Sequence, residues 1–434
     1  MRRTNTIQLP RCHRVIRKAA FCTAVLSGLL ATAVMFSPRV RAGGMSTLQI
    51  QHDDGILVVE PDQASRVVLN ERNGLASADG SLVATSRVKK SRASGAAGSV
   101  ENSMISVLNG VTGKSLWRAS VPGNWRPEAM SVGGNRIVLG DSTISPRHSD
   151  IPIGRGMTTL LLLEKGQSPR LITLSGNFVA EAFSASGSQV VLIEHLPAAK
   201  PTSYRVRPLD LRTGALLPQQ GAVKSQPTPS NPSNPSNPVS NLEATVMQGL
   251  RVNQSWSPSG RALYTLYDAS PYGDTSAMFV HALNLDSVIA TCLPVPESID
   301  AGAGTGSVTW VNEMTLVVVG RRGMATIDAR TGATLTTVLQ ERKGQATVAI
   351  AAGGTSIWVA TGTTLEEVSL DSLRTIATYR TPQNITGMVP MTYGPLAMLD
   401  STGAIWFAGE GVDKPILRGR VAIKSNSKAL LVFP

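Results

Sequence analysis

The stretch VNQSWSPSGRALYTLY (252–267) reads as strand, tight turn, strand. Val252 and Trp256 bracket a polar Asn-Gln-Ser, Ser-Pro-Ser-Gly breaks the run, and β-branched, aromatic and leucine residues resume it. The pattern recurs as GLASADGSLVATSR (74–87), EAMSVGGNRIVLGD (128–141), VAEAFSASGSQVVLIE (179–194), SVTWVNEMTLVVVG (307–320), TVAIAAGGTSIWVATG (347–362), GMVPMTYGPLAML (387–399) and RVAIKSNSKALLVF (420–433). Between the turn markers Gly80, Gly134, Gly187, Gly260, Met314, Gly354, Gly394 and Lys428 the steps are 54, 53, 73, 54, 40, 40 and 34 residues.

A second hairpin follows each of the first seven. Examples are ISVLNGVTGKSLWRASV (105–121), YRVRPLDLRTGALL (204–217) and MATIDARTGATLTTVL (324–339), each turning on Thr-Gly. Two hairpins make one four-stranded sheet. A single twisted sheet of that size cannot cover both of its apolar faces, whereas sheets stacked around an axis cover one another. The expected fold is therefore all-β: a β-propeller of eight blades, with seven as the alternative. A lone second-type hairpin at 55–69 and the first-type hairpin at 420–433 should share one composite blade, joining the chain's two ends.

Particular repeats resemble known families. VLNGVTGKSLWRASV, with Asn109, Thr112, Gly113 and Trp117, is similar to the pyrroloquinoline-quinone-type propeller repeat. IDARTGATLTTV, with Asp328, Thr331 and Gly332, resembles that unit and the surface-layer type, and SWSPSGRALYTLY resembles the WD40-like repeat of exported bacterial propellers. The resemblance implies a scaffold and no particular activity. Quinone-dependent dehydrogenases of this shape carry an adjacent cysteine pair and a calcium cluster, which this chain lacks, so no cofactor is expected.

The first 42 residues read as a leader. Eight arginines and lysines and no acid occupy residues 1–42, and Ala19–Phe36 is an 18-residue apolar run ending at Ser37-Pro38. Val40-Arg41-Ala42 offers a small-residue cleavage site, as in a secretory signal. An uncleaved membrane anchor through 19–36 is the alternative, since the run is close to the minimum length of a span. Expected localisation is secreted or at the cell envelope. The remaining chain, 46–434, is expected to be one propeller domain with a mobile Pro/Asn/Ser-rich insertion at 223–242.

The net charge of +12 belongs mostly to the leader. Without those eight residues, 33 basic groups face 29 acidic ones, so no nucleic-acid partner is expected. Cys12 and Cys22 lie in the leader, which leaves Cys292 as the one cysteine beyond it. That excludes an intrachain disulfide and any multi-cysteine zinc site there.

Function has to be sought in the connections. The hairpin turns are short, whereas 87–104, 142–157, 194–203, 268–278 and 218–250 are long. In a propeller these connections emerge on one face, and loops crowded on one face mark a binding surface. That face should display Arg87, Lys89, Lys90, Arg92, Arg147, His148, Asp150, Arg155, Tyr272 and Asp274. The partner would be a protein or an anionic polymer at the envelope. Histidines 52, 148, 195 and 281 lack metal-ligand spacing, and no Gly-x-Ser-x-Gly elbow occurs. A non-catalytic binding protein is the first expectation. A lyase or lactonase-type enzyme with a dispersed site at the channel mouth, and an envelope assembly scaffold, stay open as alternatives. Trp256, Trp310 and Phe183, just before their turns, are expected to pack between blades.

Overall fold

The computed structural model describes residues 47–433 except 53–54, 60–66, 93–98, 144–152, 219–245, 270–277, 300–305, 343, 352–353, 391–395, 410–411 and 422–427. The leader and the 223–242 insertion lie outside the described residues.

The chain begins with β1 (Thr47–His52), β2 (Gly55–Val59) and β3 (Val67–Arg72). Blade 1 holds β4 (Leu75–Ala76), β5 (Leu82–Arg92), β6 (Ser99–Asn109) and β7 (Ser115–Pro122). Blade 2 holds β8 (Trp125–Met130), β9 (Arg136–Asp141), β10 (Met157–Glu164) and β11 (Arg170–Ser175). Blade 3 has three strands, β12 (Asn177–Phe183), β13 (Gln189–Leu196) and β14 (Ser203–Asp210), with an isolated Leu209–Leu216 bridge where a fourth would lie. Blade 4 holds β15 (Leu250–Trp256), β16 (Ala262–Asp268), β17 (Met278–Asn284) and β18 (Ile289–Pro294). Blade 5 holds β19 (Ser307–Asn312), β20 (Thr315–Val319), β21 (Gly323–Asp328) and β22 (Thr334–Leu339). Blade 6 holds β23 (Ala346–Ile350), β24 (Ser356–Thr361), β25 (Thr364–Ser369) and β26 (Thr375–Arg380). Blade 7 holds β27 (Ile385–Pro390), β28 (Leu396–Asp400), β29 (Ala404–Gly409) and β30 (Val412–Arg420), and β31 (Lys428–Phe433) ends the chain.

Every sheet is antiparallel in simple up-and-down order. The eighth runs β3-β2-β1-β31, so the two ends of the chain share one blade. The division is three strands plus one, not the two plus two expected from sequence. β31 alone is the innermost strand, paired from Gln51↔Lys428 to Thr47↔Phe433. Arg420, the first residue of the stretch 420–433, ends β30 instead. A residue such as Arg420 suits the solvated outer strand of blade 7 better than the strand nearest the axis.

The second strand of each blade explains why the sequence reads as it does. These strands are buried on both faces, as in IVLG (137–140) of β9 and VVLIE (190–194) of β13. Alternate residues serve opposite junctions. Val190 and Leu192 pack towards blade 2, while Val191 and Ile193 pack towards blade 4. Outer strands alternate half-buried and exposed positions, as in β22 and β26. Among the described residues there are eight apolar clusters, one for each junction around the ring, including Leu48 and Ile50 against Val389 and Leu399, and Ile56 and Val58 against Val83. Each fully buried aliphatic side chain contributes about 1.5–3 kcal/mol, so the junctions carry the stability. Phe183, Trp256 and Trp310 all pack into them.

Candidate functional site

Two kinds of turn close one rim of the disc. Between first and second strands a serine recurs: the hydroxyls of Ser77, Ser131, Ser184 and Ser257 accept the backbone N–H of Leu82, Arg136, Gln189 and Ala262. A glycine with left-handed backbone completes each turn, at Gly80, Gly134, Gly187 and Gly260. Between third and fourth strands the Asp/Asn-x-x-Thr/Ser pattern does the same work. Asp328 Oδ1 accepts from Arg330 N at 2.9 Å and Thr331 N at 2.7 Å, and Asn109, Asp210 and Asn284 repeat the arrangement. The signature that resembled family repeats is thus turn chemistry. A cavity of about 550 Å³ on this rim lies between blades 4 and 5; in its lining Arg261 pairs with Asp286 at 3.2 Å and Glu313 accepts Ser259 N at 2.7 Å.

The opposite rim carries the long connections. Arg87 and Lys89 are exposed there, but on strands and not on a loop. β5 and β6 pair continuously through Arg87↔Met104, Lys89↔Asn102, Lys90↔Glu101 and Arg92↔Ser99, leaving only 93–98 between them. The expected loop 87–104 is therefore mostly a hairpin that projects beyond the two-residue inner strand β4. Arg87 and Lys89 alternate with half-buried Val88 and show no apolar stripe, which is why these strands read as a loop in the sequence. Arg147, His148, Asp150, Tyr272 and Asp274 lie outside the described residues.

Arg155 is described, and it is a clamp. Its Nε donates to Asn177 Oδ1 at 3.0 Å, another guanidinium nitrogen donates to Phe178 O, and its backbone N–H donates to Ala198 O at 2.8 Å. Asn177 Nδ2 donates in turn to Ile153 O at 3.0 Å. The segments 153–156 and 196–202 are thereby stitched together, closely enough that a Cβ on Gly154 would sit 1.8 Å from Ala199 O. Burial pushes the Arg155 guanidinium below its usual range, with nearby Glu128 opposing the shift. His195, beside it on β13, is pushed down to about 4, first by burial and then by the Arg155 charge.

Below this rim the inner strands form a polar wall. Glu128, Glu181 and Gln254 occupy one repeat position in β8, β12 and β15. Arg126 and Glu128 pair at 3.2 Å with both side chains at least nine-tenths buried, and Glu128 Oε2 accepts the backbone N–H of Ala180 at 3.0 Å. On the neighbouring strand Gly140 stands opposite Arg126, and a Cβ there would lie 2.0 Å from Glu128 Oε1. Glu181 pairs with Arg251 at 3.6 Å and accepts from Gln254 Nε2, which also donates to Thr265 Oγ1 at 3.2 Å. In blades 5 and 6 the matching positions are Val308 and Val348. The Glu, Glu, Gln column is legible in EAMS, EAFS and QSWS, three residues before each turn serine. These carboxylates are already satisfied by guanidinium, amide and backbone donors. They orient neighbouring strands, which is not how a poised acid or base is held.

Exposed cations crown the same rim: Arg251 at the start of β15, Lys200 beside the clamp, and Arg321 and Arg322 between β20 and β21. Arg342, buried below them, is locked by Glu366 Oε2 at 3.2 Å and Gln340 Oε1 at 2.9 Å. Among the described residues, no group of three His, Cys, Asp or Glu side chains is placed to hold a metal ion.

The closed ring, its tight-turned rim and its opposite rim of long connections define the class: the chain is an eight-bladed β-propeller. No family model matches the sequence, and no curated protein matches it. Among solved structures it is similar to apo AztD from Citrobacter koseri, at 12% identity over 89% of this chain and 98% of that one, with a TM-score of 0.50. A second crystal structure of AztD from the same organism matches at the same identity and TM-score, over 97% of its chain. At this identity the likeness establishes the shared fold.

Proposed function

We propose that this is an exported, non-catalytic binding propeller whose long-connection rim receives an anionic partner. The observation that carries the reading is the asymmetry of the disc. One rim is sealed by short turns whose polar groups satisfy each other. The other carries the long connections, with Lys89, Lys200 and Arg322 exposed beside Arg251 and Arg321, which pair with Glu181 at 3.6 Å and Glu341 at 4.0 Å. Carboxylate, sulfate or phosphate groups would find cations there and no competing free carboxylate in the wall. Export rests on the basic-then-apolar leader at 1–36 followed by Val40-Arg41-Ala42.

The test is retention on immobilised dextran sulfate as salt is raised. The parent chain should bind at low salt and elute as screening grows. Combined Lys89→Glu, Arg251→Glu and Arg321→Glu should weaken binding at least tenfold. Arg212→Glu with Arg330→Glu, on the tight-turned rim, should leave it nearly unchanged. Equal loss from both sets, or no retention of the parent, refutes the reading.

A further inference from the structure

The junction between blades 3 and 4 contains a set of soft donors outside the charged rim. Cys292 Sγ lies 3.3 Å from Met247 Sδ, closer than two sulfurs sit in ordinary packing. Met247 is held by two backbone hydrogen bonds of 2.8 Å with Tyr204, which fix it beside β14 where blade 3 lacks its fourth strand. His281 stands directly opposite Cys292 in the β17–β18 ladder, so both side chains leave the same face of blade 4, towards Met247. The imidazole is 3% exposed and its Nε2 has no hydrogen-bond partner. Its ring centroid lies 6.1 Å from both Tyr204 and Tyr267, whose rings stack on each other at 4.8 Å.

A core assembled for packing alone would not bury an imidazole nitrogen without a partner, because that costs about 1–3 kcal/mol. His281 shares a face of blade 4 with Cys292, whose sulfur touches that of Met247, so two soft sulfurs and one borderline nitrogen belong to the same junction. We propose that Cys292 Sγ, Met247 Sδ and His281 Nε2 bind a single soft monovalent cation of the Cu(I) or Ag(I) type. Thiolate and thioether sulfur select such ions, whereas hard divalent ions call for oxygen donors. Two sulfurs each about 2.3 Å from one trigonal ion would stand about 4 Å apart, so the pair has to open by roughly 0.7 Å. Met247 can supply that movement through its three rotatable bonds. Binding releases the Cys292 proton to solvent and forms the metal–thiolate bond, with no change of oxidation state. Cys292 is partly exposed on the outermost strand, which leaves a way in, while the imidazole waits behind it. The site is independent of the reading of the charged rim.

The experiment uses the full chain with Cys12→Ser and Cys22→Ser, so that Cys292 is the sole thiol. Ag(I) is titrated, and Cys292 alkylation by a maleimide and ultraviolet thiolate-to-metal charge transfer are followed. One Ag(I) per chain should bind and slow alkylation at least tenfold, and excess Zn(II) should not displace it. Met247→Leu keeps the apolar volume and should weaken Ag(I) binding at least tenfold, and His281→Gln should do the same. Ag(I) that fails to protect Cys292, or affinity unchanged in both variants, overturns the proposal. A circular-dichroism spectrum of each variant matching the parent shows that any loss belongs to the donors.

Discussion

Deleting β31, by ending the chain at Ser427, tests the closure of the ring. β31 pairs with β1 at five register positions, from Gln51↔Lys428 to Thr47↔Phe433. Losing about five backbone hydrogen bonds at ~1 kcal/mol each removes roughly 5 kcal/mol. Leu48 and Ile50 on β1 are both fully buried, and partial uncovering adds about 1–3 kcal/mol more. The sum, roughly 6–8 kcal/mol, is a large share of the ~5–15 kcal/mol that holds a typical domain together. For a domain of this size it corresponds to a fall of roughly 5–10 °C in Tm. The measurement is thermal unfolding followed by circular dichroism, with hydrogen exchange at β1 as the local readout. A synthetic peptide covering 424–434, added in excess, should restore most of the loss by refilling the vacant strand position. A truncated chain that melts within about 2 °C of the parent, with β1 amides still protected, would refute a ring closed by its last strand.

Two further outcomes follow from the polar wall and its neighbours. Gly140→Ala should destabilise by about 1–3 kcal/mol in urea unfolding, because the new methyl displaces a Glu128 carboxylate pinned by Arg126 and the Ala180 N–H. Combined with Glu128→Ala, the two losses should be clearly non-additive, and additivity would mean that the carboxylate does not hold the strands. His195, whose folded pKa of about 4 lies below the ordinary 6.5, is neutral in the fold, so the unfolded chain binds more protons between these values. Its share of stability is therefore present above pH 6.5 and is lost as pH falls to about 4, by up to ~3 kcal/mol. His195→Asn should flatten that part of the pH–stability curve, and a variant with the parent's slope would contradict a buried neutral imidazole beside Arg155.

The strand–turn–strand period, the left-handed glycines of the turns and the Asp/Asn-x-x-Thr/Ser locks were determined by the sequence itself. They depend on neighbours within about six residues, and local chain chemistry specifies them. The repeated pair of hairpins also pointed to four-stranded sheets stacked around an axis. Only the tertiary structure decided that β31 joins β1 alone, because strands distant in sequence choose partners by the burial each can offer. It decided likewise that Lys89 rides an extended hairpin and that Arg155 clamps Asn177 and Phe178. It also set Cys292, Met247 and His281 in one junction. Cys292 and Met247 stand 45 residues apart in sequence, and no pattern along the chain records which side chains meet when two blades close on each other.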